Sequence, residues 1–213
     1  MSRWIDIALA WLKWPAGVAA VVALPWALRA SWLLGLRVVE EPATLRAFVL
    51  GFVGYAALWR LVLRRRLLGT FFSTLEHELT HALFAWATLH RVVELRSTFR
   101  QGGHVRFRGA GNWLITLAPY FFPTLSVAII AVGWLLPNGW LTAADAALGA
   151  ATAYHIVSTF HETHLGQSDL RKAGLLFSLC WLPTANVLAY AAIVAFCHAG
   201  PAGLTHLLAD LLP

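Results

Sequence analysis

Long apolar runs separated by short polar breaks organise this chain. Residues 15–36, 43–63, 67–90, 111–136, 141–162 and 172–197 are six such runs. Each is close to the roughly 20 residues that a helix needs to cross the apolar layer of a bilayer. The breaks are Glu40-Glu41-Pro42, Arg64-Arg65-Arg66, the segment 91–110, Pro137-Asn138-Gly139 and the polar stretch 161–169. Residues 3–14 set Trp4, Ile5, Ile7, Leu9, Trp11 and Leu12 against Arg3, Asp6 and Lys13, which predicts an interfacial helix ahead of the first span. Residues 204–212 read as a short tail on the surface. In 91–110 the period changes to two: Val92, Val93, Leu95, Val105 and Phe107 interleave with Glu94, Arg96, Arg100, Arg106 and Arg108 around Gln101-Gly102-Gly103. That pattern predicts a β-hairpin with a glycine turn, the alternative being a basic surface loop. Pro119 and Pro123 interrupt the fourth run and predict a kink or a broken segment, because each removes a helical N–H and frees a carbonyl. The expected fold is an all-α polytopic membrane protein, one domain over 1–213, with about six transmembrane segments and a small hairpin after the third.

Composition agrees. The chain is 59% hydrophobic and 12% charged, about half the charge of a soluble domain, and its mean hydropathy is +0.67. The net charge of +6 therefore points to anionic lipid and not to nucleic acid. Trp11, Trp14, Trp59, Trp113 and Trp140 lie near run ends, where aromatic anchors belong. Cys180 and Cys197 form neither a disulfide framework nor a Cys-x-x-Cys pair. The first run has no convincing small-residue cleavage site, so no signal peptide is expected.

The chemistry concentrates in the third run, at Glu76-His77-Glu78-Leu79-Thr80-His81. On a helix, His77 and His81 stand one turn apart on one face, a spacing that suits two imidazole ligands to Zn²⁺. Glu78, beside the first histidine, is placed to act as a general base toward water. The flanks Phe71, Phe72, Leu75, Leu79, Leu83 and Phe84 are apolar, and two histidines and two carboxylates among them are costly without a function. A catalytic zinc needs a third protein ligand. With Asp6, Glu40, Glu41 and Asp210 set aside as surface acids and Glu94 assigned to the hairpin, the candidates are Asp145, Glu162, Asp169, His155, His161 and His164. His155 and His164 are nine residues apart and would face opposite ways on one regular helix. The residues leave the choice open.

The motif in an apolar helix, the basic hairpin, the proline-broken span and a late aspartate together resemble the site-2 protease family, membrane-embedded zinc metallopeptidases. The similarity covers 67–190, with 1–66 as additional N-terminal helices, and is greatest to short bacterial members without a PDZ domain. It implies His77, His81 and Asp169 as zinc ligands and Glu78 as catalytic base. It also implies a multi-pass location in the bacterial cytoplasmic membrane and a transmembrane or membrane-proximal peptide substrate. Thr80 stands where the family often has Gly. Ser168-Asp169-Leu170 replaces the usual Leu-Asp-Gly and lacks a preceding Asn-Pro element. His161 and His164 therefore remain alternative third ligands, or residues that orient a ligand from behind. Val105 and Phe107 are candidate substrate-binding positions, on a strand that would hold an unwound substrate by strand addition. Two other readings are a membrane di-iron desaturase or hydroxylase, with His77 and His81 in a histidine box, and a non-catalytic membrane scaffold with a vestigial site.

Overall fold

The computed structural model describes residues 1–63, 67–98, 102–133, 135, 137–164 and 166–212. The arginine cluster 64–66 and the hairpin tip 99–101 lie outside the described residues. The chain is mostly helical, with one two-stranded antiparallel sheet.

Helix α1 runs unbroken from Ser2 to Glu40. The expected division into an interfacial helix and a separate span is therefore corrected to one rod of 39 residues, about 58 Å long. Pro15 and Pro25 lie inside it. Each removes a single helical hydrogen bond, whereas a full break in an apolar environment would strand several backbone groups. A 3₁₀ turn at Pro42–Leu45 leads into α2 (Arg46–Leu61), covering the expected second run. Helix α3 (Leu67–Ala87) carries the motif. Leu89 ends it in the left-handed region at φ 59°, and the His90 N–H donates to the Ala85 carbonyl.

The expected hairpin is present as β1 (Val92–Thr98) and β2 (Gly102–Phe107), with Leu95 opposite Val105 and Val92 opposite Phe107. The fourth run is broken as its prolines require. Helix α4 (Trp113–Leu117) passes through a 3₁₀ turn at Ala118–Tyr120 into α5 (Thr124–Gly133), at a bend of 78°. Helices α6 (Leu141–Glu162) and α7 (Ser168–Ala173) follow.

Helix α8 (Leu175–Asp210) contains a reversal at Ala199 and Gly200, where Gly200 takes φ 58°, a value that glycine adopts without strain. Beyond it the chain folds back, so that Gly203 lies against the Ala195 carbonyl. Leu207 joins Ala30, Leu34, Ala191 and Ala195 in a buried cluster. The tail at 204–212 lies at the surface as expected, helical through Asp210, and packs inward through Leu207 while Thr205, His206, Leu208 and Leu212 stay exposed. Asp210, expected at the surface, accepts two hydrogen bonds from the Arg37 guanidinium at 2.7 and 2.9 Å.

Helices α2 and α6 pack backbone to backbone. A Cβ at Gly51 would strike the Ala146 carbonyl, and one at Gly149 the Phe48 carbonyl. Small residues permit such close approach without a large apolar interface. A second cluster sits beneath the site, where Trp113, Leu117, Tyr120, Leu170 and Phe177 join α4, α7 and α8.

Among the described residues, three helices are long and apolar enough to cross a membrane: Ser2–Glu40, Pro42–Leu61 and Leu175–Asp210. The bent pair α4–α5 makes a fourth if counted as one broken span. Helices α3 and α6 are not among them. Large apolar side chains stay exposed along these helices, including Trp11, Trp32, Val18, Leu50 and Leu179.

Candidate metal centre

His77 and His81 project from one face of α3, as their spacing dictates. Helix α7 brings Asp169 in from 88 residues further along the chain. The two imidazole Nε2 atoms are 3.2 Å apart. Asp169 Oδ2 stands 3.4 Å from His81 Nε2 and 3.6 Å from His77 Nε2. These three residues form the only group of three or more ligand-type side chains close enough to share a metal among the described residues.

Both far-side nitrogens are engaged. His77 Nδ1 lies 2.7 Å from Glu162 Oε2, and His81 Nδ1 lies 2.8 Å from the Ile115 carbonyl oxygen. Acceptors at both Nδ1 positions place the ring hydrogens there and leave both Nε2 lone pairs facing Asp169. Three acceptor atoms pointed at one spot could share a metal ion. A proton can join only two of them, whereas a metal ion serves all three. Tetrahedral zinc with bonds of about 2.0–2.1 Å keeps its ligand atoms about 3.3–3.4 Å apart, so the triangle fits that ion.

The surrounding elements explain how the ligands are held. Glu162, near the end of α6, accepts from Ser73 of α3 and Ser158 of α6 while holding His77. Ile115 is available because of the break in the span. In a continuous helix the N–H of residue 119 would take the Ile115 carbonyl. Proline at 119 has none, and His81 fills the vacancy as donor. Helix α4 is placed by Asn112, which caps it by accepting from the Ile115 N–H and donates to Asp6 at 2.9 Å. Asp6 also meets His90 Nε2 at 3.0 Å, so this acid, expected at the surface, ties the start of α1 to the end of α3.

Glu78 is buried, 8% exposed, and is not part of the ligand triangle. With His81, Asp169, Val105 and Phe107 it lines a cleft of about 430 Å³ between β2 and α7. Strand β2 lies directly over the motif: a Cβ at Gly103 would stand 2.7 Å from both Glu78 Cγ and Thr74 Cγ2. Phe107 also packs its ring edge on His90, with centroids 5.3 Å apart.

The other candidates are elsewhere. His161 and His164, considered as ligands or as residues orienting one, take neither place: His161 stacks on Trp59 at 5.0 Å, and His164 is exposed beside Gly166. Glu162 faces α3, which turns its neighbour His161 about 100° away. His155 pairs with Tyr190, His198 with Thr44 and His90 with Asp6, so the histidines that a di-iron site would gather are dispersed. Asp145 faces Cys197.

Two contributions went unassigned in the sequence. Glu162, a candidate third ligand in the sequence, instead holds the back of His77, a role signalled locally by the polar pair Ser158 and Glu162, one turn apart in an apolar helix. Glu76 accepts from the backbone N–H groups of Thr124 and Leu125, capping α5 after the break, while Thr80 meets Thr124 at 2.5 Å. No family model, curated protein or solved structure matches this chain.

Proposed function

We propose that the protein is a zinc-dependent intramembrane endopeptidase, of the kind that the motif resembles, acting on a transmembrane or membrane-proximal peptide segment. The observation that carries this reading is the triangle of His77 Nε2, His81 Nε2 and Asp169 Oδ2, with both Nδ1 atoms engaged from behind. Zinc held there would act as a Lewis acid on the scissile carbonyl and make water a stronger acid.

The protein's own residues supply the rest. Glu78 borders the cleft without belonging to the ligand set. Its carboxylate takes a proton from the attacking water and returns one to the leaving amine. A helical substrate hides its carbonyls, so it must unwind locally. The edge of β2, running beside Glu78 and His81, offers backbone groups with which an extended segment pairs. The burial of Glu78 and His77 keeps bulk water from competing around the reacting groups.

The setting we infer is six membrane-embedded segments with both termini on one side. Helices α3 and α6, of 21 and 22 residues, join the three long apolar helices and the bent pair. At 1.5 Å per residue they are about 32 Å long, enough for a 30 Å layer. Reporter fusions at residues 41, 90, 139, 166 and 212 test this arrangement; 41 and 90, separated by α2 and α3, should share a side, and opposite sides would make α3 re-entrant. The chemistry is tested with Glu78→Gln. That variant should keep its zinc and fold and lose cleavage of a model transmembrane peptide. Loss of the metal would instead make Glu78 a ligand.

A further inference from the structure

We propose that the cleft at the metal centre continues into a subsite that reads a carboxylate on the peptide, formed by Lys13 of α1 and Lys172 of α7. This rests on the peptidase reading above. The cleft holding Glu78 and Asp169 abuts a second one of about 360 Å³, lined by Asp6, Ala10, Lys13, Asn112 and Ala173. Ala110, Gly111, Thr116 and Lys172 belong to the walls of both. An extended peptide lying along β2 past Phe107 is thereby led toward α1.

The charges at that end are unbalanced. Lys13 is half-buried, its ammonium 5.3 Å from the Phe177 ring and 5.9 Å from the Trp14 ring. The rings offset part of its lost hydration. It has no carboxylate within ion-pair distance among the described residues. Asp6, the acid in the same cleft, is committed through one oxygen to His90 and through the other to Asn112. Lys172 approaches Asp169 Oδ1 at 3.3 Å, but its side chain is 69% exposed and free to turn into the shared wall. Two ammonium groups thus border a polar recess in which Asp6, the one acid lining it among the described residues, is already saturated, while Glu78 and Asp169 line the adjoining cleft. An anion is the ligand that balances them. On an extended peptide spaced at about 3.3 Å per residue, that anion is a side-chain or chain-terminal carboxylate a few residues from the scissile bond.

The full-length protein in phosphatidylcholine vesicles is given model transmembrane peptides in which one glutamate is walked outward from the cleavage site. Each is paired with its glutamine counterpart, and a free C-terminus is paired with an amidated one. At one position the acid should lower KM about tenfold with kcat within about twofold. The C-terminal pair tells a chain end from a side chain. Lys13→Met should collapse the acid-to-amide ratio to within about twofold, and Lys13→Glu should reverse it in favour of lysine at the same position. Equal cleavage of all peptides, or a ratio that survives Lys13→Met, overturns the subsite and returns Lys13 to an interface anchor. A rate set by added phosphatidylserine and not by the peptide acid does the same. Peptide binding to zinc-loaded Glu78→Gln separates the two readings. Acid-selective binding without cleavage by the wild type keeps the subsite and overturns the peptidase. Cleavage without acid preference does the opposite.

Discussion

Replacing Glu162 with alanine tests the site from behind, without touching a ligand. The carboxylate receives three hydrogen bonds, from Ser73, from Ser158 at 3.1 Å and from His77 Nδ1 at 2.7 Å. Without it, nothing holds the His77 hydrogen on Nδ1. The ring becomes free to carry that hydrogen on Nε2, where it blocks ligation, or to swing out of the triangle. Loss of such a partner lowers metal affinity about 10–100-fold, or about 1.4–2.7 kcal/mol. The three donors also lose their acceptor. A recess of about 300 Å³, bounded by Tyr55, Trp59, Ser73 and Ser158, reaches Glu162 and is large enough for water to take the place of the lost carboxylate. The fold should therefore lose only about 1–3 kcal/mol. Glu162→Gln keeps a carbonyl oxygen for His77, and the serine hydroxyls can rotate to accept from its amide. Its zinc affinity should stay within about fivefold of the wild type. Zinc affinity is measured by competition with a chromophoric chelator in detergent, with helix content followed by circular dichroism. An alanine variant that holds zinc as tightly as the wild type would falsify the orienting role. A glutamine variant as weak as alanine would show that charge, not hydrogen-bond geometry, is what His77 requires.

Gly103→Ala places a methyl group 2.7 Å from Glu78 Cγ and Thr74 Cγ2. It should lift β2 off the motif helix at a cost of about 1–3 kcal/mol and reduce cleavage more than zinc content; unchanged activity would show that the hairpin does not position Glu78. Val105→Pro and Phe107→Pro should each remove most cleavage with zinc retained, because strand addition uses main-chain groups. Full activity in both would return the segment to a basic surface element. Gly51→Leu and Gly149→Leu should separate α2 from α6 and lower the thermal midpoint in detergent; a stable, active Gly149→Leu protein would contradict the backbone contact with Phe48.

Much of this architecture follows from local pattern. Apolar run length determined the helices long and apolar enough to cross a membrane, at Pro42–Leu61 and within Ser2–Glu40 and Leu175–Asp210. The period-two stretch determined the hairpin, and Pro119 with Pro123 determined the bend between α4 and α5. The one-turn spacing alone sets His77 and His81 on a common face. Each of these depends on a few neighbouring residues, through helix geometry, strand alternation or a missing N–H.

What the tertiary structure alone decided lies between residues far apart in the chain. Glu162 behind His77, the Ile115 carbonyl behind His81, Asp169 in the triangle and Asp6 beneath His90 are separated from their partners by 85, 34, 88 or 92 and 84 residues. No local period selects Asp169 over His164, since both lie in one polar stretch; packing of α7 on α4 turns the first inward and leaves the second exposed. Nor does a local rule tell Asp6 and Asp210 from surface acids. In a chain with so little charge, a buried charged group is costly without a partner, and only the folded arrangement of helices determines which partner each of these acids meets.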